Sequence, residues 1–223
     1  MVDDALPQGV DRSTTLYLIR HGETEHNRRG IIQGGGVDSE LNAAGRAQAE
    51  ALAQRLRTVS FDALYASTLQ RAKQTADILA PPHEPLPRTY LRDLSEMDWG
   101  VFEGEPPSPE RDAAMGALKS AWREGAYDRA VEQGESIRDV QDRAQRALRH
   151  ILAREAGGTT LVVTHGRYLR VLLATLLDDY GLEHMQDLGH SNTCVNRVVV
   201  DGGRARADLQ NCTAHLSSVE ASV

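Results

Sequence analysis

Cysteine is scarce in this chain of 223 residues, which contains only Cys194 and Cys212. Two cysteines can form one bridge at most, so a network of disulfides does not hold the fold together. We expect both side chains to be free thiols in a reducing compartment, and a single disulfide between them stays open.

Long apolar runs and aromatic residues are also scarce. The chain has no stretch of about 18 apolar residues, which a membrane-spanning helix requires. Its start does not combine a charged segment with an apolar one, as a signal peptide does. We therefore expect a cytoplasmic protein with no membrane partner. Aromatic residues make up only 4% of the chain, so Leu, Val, Ile and Ala must form most of the core.

Positive charge is in deficit, and the formal net charge at pH 7 is −7. Proteins that bind nucleic acids usually present a basic face, so this balance predicts no nucleic-acid partner. The same balance does not oppose phosphate binding, because a local group of arginines can make a pocket positive inside an acidic protein.

The length is typical of one α/β domain. Residues 1–13 are polar and include Pro7 and Gly9, and we predict that they form a flexible N-terminal tail. Residues 14–223 are then expected to form a single domain. The oligomeric state is not readable from the sequence, and a homodimer is left open.

Apolar runs and helical periodicity alternate along the chain, with turn residues between them. Ser136 and Asp139 form a capping-box pattern at the start of the clearest helix, and Pro81 and Pro82 end another. The predicted strands span residues 15–20, 62–66 and 159–164, followed by a hairpin at 193–200 and 204–210. The predicted helices span residues 43–57, 68–80, 109–124, 136–155 and 167–178, and residues 93–107 are predicted to be a loop. This alternation predicts a three-layer α/β/α sandwich with a largely parallel central sheet.

The most informative segment is Arg-His-Gly-Glu-Thr at residues 20–24, directly after the apolar run at residues 16–19. A strand that ends here brings a cation, Arg20, and an imidazole, His21, to one point. Gly22 then lets the backbone turn away sharply or approach a ligand closely. This arrangement suits a phosphate held beside a nucleophile.

A second strand ends in the same way, at His165 and Gly166, and Arg71 lies in the first turn of a helix that directly follows a strand. Ligands of open α/β sheets bind at the carboxyl ends of strands, so these groups are expected to meet. They supply a second histidine and a second arginine for a phosphate pocket.

Two loops supply the remaining groups. The turn-rich residues 30–36, which include Gln33 and Gly34, can fold over an anion with backbone N–H groups, and Asn27 lies just before them. Glu96 lies in the predicted loop at 93–107 and is the candidate proton donor. Four other acids lie nearby in the sequence and are alternative candidates for this role: Asp93, Asp98, Glu103 and Glu105.

These groups form a complete set for phosphoryl transfer. A neutral imidazole is not repelled by an anionic ester, and two arginines beside His21 favour its neutral form. Attack by His21 gives a covalent intermediate and divides a difficult step into two easier ones. Arginine forks meet the three equatorial oxygens of the transition state, while Glu96 protonates the leaving oxygen and then accepts a proton from the attacking water. This scheme needs no metal and no cofactor.

From about Thr15 to Leu216 the chain resembles the histidine phosphatase superfamily, also called the phosphoglycerate mutase-like family. The resemblance rests on the ordered motifs at 20–24, 33–34, 67–71, 96 and 164–166. It implies a phosphoglycerate mutase-like fold and a phosphohistidine on His21. It implies a phosphate pocket of Arg20, Arg71 and His165, helped by Asn27, and it places the proton donor at Glu96.

Several residues also have a structural interpretation. Ser67 could cap a helix rather than bind a ligand, and Trp99 could anchor its loop rather than stack on a substrate ring. The other histidines show no metal-ligand spacing and are interpreted as structural or surface residues: His26, His83, His150, His184, His190 and His215.

Within this family a phosphatase is favoured over a mutase. Mutases carry a longer insertion after the glutamate, with clustered basic residues, whereas the span from Glu96 to His165 is short and its basic residues are dispersed. We therefore expect a phosphomonoesterase of the histidine acid phosphatase type, acting on a small-molecule phosphate ester such as a sugar phosphate. A cofactor-dependent phosphoglycerate mutase and a non-catalytic binding or scaffolding subunit remain alternatives. Residues 101–134 are expected to line the pocket and decide specificity.

Overall fold

The computed structural model describes residues 13–217. The predicted N-terminal tail therefore lies outside the described residues, apart from Ser13. Across residues 13–217 no helix is both long and apolar enough to cross a membrane. Cys194 and Cys212 are both free thiols, as the sequence predicts.

Six strands and six α-helices of four or more residues form the described part of the chain. The strands are β1 (Thr14–Arg20), β2 (Ala63–Ser67), β3 (Arg88–Leu91), β4 (Thr159–Thr164), β5 (Val195–Asp201) and β6 (Arg204–Cys212). The helices are α1 (Glu25–Arg28), α2 (Ala43–Leu56), α3 (Gln70–Leu79), α4 (Pro109–Arg123), α5 (Ile137–Arg154) and α6 (Gly166–Leu176).

The helix boundaries follow the capping signals in the sequence. The Ser136 hydroxyl accepts a hydrogen bond from the Asp139 backbone N–H, and the Asp139 carboxylate accepts one from the Ser136 backbone N–H, which completes the predicted capping box of α5. The Asn42 side chain caps α2 by accepting from the Gly45 N–H. These side chains satisfy backbone donors that would otherwise lack partners in the first turn.

The sequence prediction missed β3. This strand pairs in parallel with β2 at one edge of the sheet, with Leu64 in register with Arg88. Its residues are exposed or only partly buried, so Arg88, Thr89 and Tyr90 carry no apolar pattern. Edge strands are defined by backbone pairing more than by burial, and no local signal marks this one.

The sheet has the strand order β3-β2-β4-β1-β5-β6. The first four strands are parallel, and β5 and β6 form an antiparallel hairpin against β1. The predicted largely parallel sheet is therefore confirmed, with the hairpin as its antiparallel edge.

Alternating residues of the strands enter two separate cores, one on each face of the sheet. Leu16, Leu18 and Val162 pack against α4, α5 and α6. Ile19 and Val163 pack against α2 and α3 on the other face. This division gives the predicted three-layer α/β/α sandwich, because neighbouring side chains of a strand point to opposite faces.

Two adjacent strands, β1 and β4, define the place where a ligand can bind. The segment after β1 leads to α2 on one face, whereas β4 leads to α6 on the other face. Crevices form at the carboxyl ends of neighbouring strands whose connections leave to opposite sides. The topology therefore opens a crevice directly above residues 21 and 165.

Candidate active site

The two histidines of the predicted motifs lie side by side. Arg20, the last residue of β1, is in register with Thr164, the last residue of β4. The next residue of each strand is a histidine, and the ring centroids of His21 and His165 are 5.1 Å apart. The pairing of β1 with β4 thus builds the centre of the site.

The ring of His21 is fixed in one tautomer. Its Nδ1 lies 2.7 Å from the Gly22 carbonyl oxygen, which can only accept a hydrogen bond. Nδ1 therefore carries the proton, and Nε2 has a free lone pair. The His21 carbonyl oxygen accepts from Asn192 Nδ2 at 3.1 Å and from the Thr193 N–H at 3.3 Å, which holds the backbone in place.

The glycine after His21 is required by close packing. The Gly22 N–H donates to Thr75 Oγ1 in α3. A Cβ added to Gly22 would lie 2.4 Å from the carbonyl oxygen of Gly45 in α2. Any side chain here would push the histidine loop away from α2.

The environment keeps both imidazoles neutral. Burial, reinforced by the charges of Arg71 and Arg20, holds the pKa of His21 well below its ordinary value. Burial also lowers the pKa of His165 well below its ordinary value, and Arg71 and the neighbouring His21 act in the same direction. An unprotonated His21 is the state that a nucleophile needs.

Arg71 is fully buried and lies in the first turn of α3, as predicted. Its Nη1 donates to the Val37 carbonyl at 2.7 Å and its Nη2 to the Gly34 carbonyl at 3.0 Å. Its Nε has no hydrogen-bond partner within residues 13–217. Burial lowers the pKa of Arg71 to about 10, so the guanidinium is still charged at neutral pH.

Arg20 is held in a similar way. Its Nη1 donates to the His190 carbonyl at 2.5 Å, and its buried Nε has no partner in the described part of the chain. Buried N–H donors without partners are costly. An oxyanion bound beside the nucleophile would supply acceptors for the Nε–H groups of Arg20 and Arg71.

The loop at residues 30–36 makes contacts that position the groups around it. The Gln33 amide is occupied by protein partners, donating to Thr24 Oγ1 at 2.7 Å and accepting from the Ser39 hydroxyl. The Gly34 carbonyl accepts from Arg71 and so positions that guanidinium. Asn27 accepts from the Thr24 N–H and from Asn192 Nδ2. The loop thus holds the arginine, while Asn27 and Gln33 also face the cavity.

Glu96 lies at the N-terminus of α6. Its Oε1 accepts from the backbone N–H groups of Met97 and Tyr168, both at 2.9 Å, and its Oε2 accepts from the Arg167 N–H at 3.1 Å. The four acids that compete with Glu96 in sequence do not line the cavity, whereas Glu96 does. The geometry therefore favours Glu96 over its neighbours.

One cavity of about 300 Å³ contains these groups. Its predicted members are Arg20, His21, Asn27, Gln33, Arg71, Glu96 and Gly166. His165 and Gly34 lie behind this lining, the first against the His21 ring and the second against the Arg71 guanidinium. Within residues 13–217, no group of three or more His, Cys, Asp or Glu side chains could hold a metal ion.

The sequence predicted the segment that forms part of the cavity wall but not which of its residues line the cavity. Arg111, Met115 and Lys119 line it from one face of α4, and Trp99 and Arg167 line it from neighbouring segments. The spacing of four residues between the α4 members was the available signal, since such residues share a helix face. The expectation that residues 101–134 form part of the wall is confirmed.

His190 lies in the cavity lining, whereas the sequence interpretation made it only a structural or surface residue. Its carbonyl holds Arg20, and its Nδ1 accepts from Arg170 Nε at 3.1 Å. Burial and the charges of Arg170 and Arg20 lower the pKa of His190 to about 3. Its position depends on the turn before β5, which has no motif of its own.

The buried histidines predict a loss of stability in acid. Five histidines have lowered pKa values, chiefly because of burial: His21, His83, His165, His190 and His215. The unfolded chain takes up these protons below about pH 6.5 and the folded protein does not, so stability falls as the pH falls. Each group contributes up to about 1.4 kcal/mol per pH unit.

Urea unfolding at pH 7 and pH 5 measures this effect, and we expect a clearly lower free energy of unfolding at pH 5. His190→Gln should reduce the slope of the unfolding free energy against pH by the contribution of about one proton. His184→Gln, at a side chain that is 52% exposed, is the control and should leave that slope unchanged. Equal stability at the two pH values would contradict the prediction.

Comparisons with known proteins identify the family. A family model described as the histidine phosphatase superfamily, branch 1, matches residues 16–213. A protein of Proteus mirabilis (strain HI4320) named "Probable phosphoglycerate mutase GpmB" is 38% identical over 167 residues, which cover 73% of this chain and 74% of that protein.

Two solved structures are similar over most of the chain. Bacillus stearothermophilus YhfR has a TM-score of 0.81 and 35% identity, covering 91% of this chain and 99% of that one. A mycobacterial glucosyl-3-phosphoglycerate phosphatase has a TM-score of 0.78 and 29% identity, covering 90% of this chain and 100% of that one. The chain therefore belongs to branch 1 of the histidine phosphatase superfamily.

Proposed function

We propose that this protein is a metal-independent phosphomonoester hydrolase that acts through a phosphohistidine on His21, with Glu96 as proton donor. One observation carries the proposal: the lone pair of His21 Nε2 is free in a cavity lined by Arg20 and Arg71, whose buried Nε–H groups have no partner among residues 13–217. The substrate of the protein is expected to be a small phosphate ester of the cytoplasm, such as a sugar phosphate.

In the first half-reaction, the phosphoryl group binds with its equatorial oxygens against Arg20 and Arg71. His165 lies against the His21 ring just behind the lining, and neither of its ring nitrogens has a partner in the described residues, so it supports the phosphoryl site from behind His21. His21 Nε2 attacks phosphorus, the bond to the ester oxygen breaks, and the protonated carboxyl of Glu96 gives its proton to the leaving oxygen. Preorganised donors of this kind contribute about 10²–10³ each in rate.

In the second half-reaction, water attacks the phosphohistidine. Glu96 accepts the proton of that water, the bond between phosphorus and Nε2 breaks, and inorganic phosphate leaves. The Gly22 carbonyl keeps the proton of Nδ1 in place throughout, so the imidazole returns to its starting tautomer.

The backbone contacts of Glu96 bear on this cycle. Three backbone N–H groups point at its carboxylate, and such donors favour the ionised form. A bound phosphate dianion opposes them, because like charge disfavours a second anion. Glu96 is therefore expected to gain its proton when substrate binds.

A mutase is a second candidate, because the similar Proteus mirabilis protein is named a probable phosphoglycerate mutase. A mutase must return the phosphoryl group to a substrate before water attacks the phosphohistidine. The two activities differ in the fate of the phosphoryl group, so one assay separates them.

The test is phosphate release from a panel of phosphomonoesters in the presence of a chelator, beside a phosphoglycerate mutase assay primed with bisphosphoglycerate. We expect release that the chelator does not reduce and that exceeds isomerisation. Loss of release in chelator would overturn metal independence. Isomerisation faster than release would identify a mutase, and neither activity would favour a non-catalytic binding role.

A further inference from the structure

The cavity carries more positive charge than one phosphoryl group requires. Five cations line it and only two carboxylates do: Arg20, Arg71, Arg111, Lys119 and Arg167 against Glu96 and Asp112. Arg111 is paired with Asp112 at 2.9 Å, and Arg20 and Arg71 flank the nucleophile. Among residues 13–217, neither Lys119 nor Arg167 forms an ion pair, although the charge of Asp112 acts on Lys119 and that of Glu96 acts on Arg167.

Arg167 is the more unusual of the two. It lies in the first turn of α6 and is only 8% exposed, with its guanidinium 5.6 Å from the Trp99 ring centroid and 5.4 Å from that of Trp122. Its Nη1 donates to the neutral Gln186 at 3.2 Å, and its buried Nε has no partner within the described chain. Glu96 contacts only its backbone N–H.

A buried cation with no carboxylate partner is costly to fold. Burial and nearby Arg170 lower the pKa of Arg167 to about 10, so it is still charged at neutral pH. Two tryptophan faces hold the guanidinium and offset part of this cost through cation–π contacts. The aromatic support fixes the direction of the group without neutralising it, which is the arrangement of a preformed anion receptor.

Lys119 belongs to the same cluster. It lies on the face of α4 that lines the cavity, and no hydrogen bond or ion pair joins it to another residue between 13 and 217. Partial burial, together with the charges of Arg167 and Arg170, lowers its pKa. The positive charges of Lys119 and Arg167 therefore oppose each other, and an anion bound beside both in the cavity would relieve that repulsion.

We propose that Lys119 and Arg167 form a second anion-binding site in the cavity, so that the preferred phosphomonoester carries another anionic group, a carboxylate or a second phosphate, on its leaving portion. As a statement about substrates, this inference rests on the proposed function. As a statement about binding, it does not require turnover. Esters with an uncharged leaving portion would fill the phosphoryl site and leave this cluster unpaired.

A matched pair of esters tests the inference in kinetics. O-phosphoserine and O-phosphoethanolamine differ only by a carboxylate, and fructose bisphosphate and fructose monophosphate differ by a phosphate. We expect kcat/KM to favour the more anionic member of at least one pair by about tenfold or more, as one charge-assisted hydrogen bond provides. The pair that shows the preference identifies which anion the cluster binds.

Lysine variants assign that preference to the cluster. Lys119→Met should reduce the preference about tenfold, and Lys119→Arg should retain most of it. Lys73→Met is the matched control, since Lys73 lies on α3 over the Tyr90 ring, away from the cavity lining, and its loss should leave the preference unchanged. A preference absent in wild type, or unaffected by Lys119→Met, would overturn the proposal.

Calorimetric titration of His21→Ala with O-phosphoserine and O-phosphoethanolamine separates this inference from the proposed function. Tighter binding of O-phosphoserine that disappears in the double variant with Lys119→Met would support the second site even if no ester is hydrolysed. Equal affinities within the pair of O-phosphoserine and O-phosphoethanolamine, and also within the pair of fructose bisphosphate and fructose monophosphate, would overturn the inference even if hydrolysis is observed.

Discussion

Replacing His21 with alanine is expected to abolish phosphate release, with kcat falling by at least about 10⁴-fold. The reason is geometric, because Nε2 of His21 is the one lone pair that the Gly22 contact leaves free beside Arg20 and Arg71. His165 is not expected to replace it, since its ring lies behind the lining of the cavity. Release of phosphate from nitrophenyl phosphate measures the loss.

A phosphoenzyme assay tests the same assignment directly. Wild-type protein quenched during turnover should carry a phosphoryl group that acid releases, as expected of a phosphorus–nitrogen bond, and His21→Ala should carry none. His184→Ala is the control at an exposed histidine outside the cavity and should behave as wild type. Substantial activity in a folded His21→Ala protein would refute the nucleophile assignment.

Replacing Glu96 with glutamine is expected to slow esters of poor leaving groups by about 10²–10⁴-fold, and nitrophenyl phosphate far less. An alkoxide needs a proton as the bond to phosphorus breaks, whereas a nitrophenolate is stable without one. Parallel kcat measurements on an alkyl phosphate and on nitrophenyl phosphate give this contrast. Equal losses on both esters would assign the acid role to another group.

The glutamine variant also has a structural effect that the assay must separate. Both carboxylate oxygens of Glu96 accept backbone N–H groups, and an amide NH₂ would replace one acceptor with a donor. We therefore expect a loss of stability of about 1–3 kcal/mol. That loss lowers the activity on both esters equally, so the ratio between the two esters is the measure of proton donation.

The agreement between sequence and structure is greatest where chemistry and local signals coincide. The capping box at Ser136 and the proline stop after α3 gave helix limits within two residues of those observed. The strand endings directly before His21 and His165 follow from apolar runs that stop two residues before each His-Gly pair. These features depend on neighbours in sequence, so they can be predicted without knowing the fold.

The features that the sequence did not predict depend on residues that are distant in sequence. Strand β3 exists because β2 offers it a free edge, and its own residues show no apolar pattern. His190 enters the cavity through a turn whose placement depends on Arg20 and Arg170. The Arg71 guanidinium is held by the carbonyls of Gly34 and Val37, which lie in and just after the turn-rich loop at 30–36. None of these contacts has a partner close in sequence.

The sequence alone thus determined the alternation of strands and helices and the family resemblance, and it chose the two histidines, two arginines and glutamate of the candidate site. Only the tertiary structure decided that β4 lies beside β1, which brings the rings of His21 and His165 to 5.1 Å. It also decided that Lys119 and Arg167, which lie 48 residues apart in the sequence, share one cavity. Strand order and helix docking are set by long-range packing of buried apolar faces, and no window of local sequence contains that information.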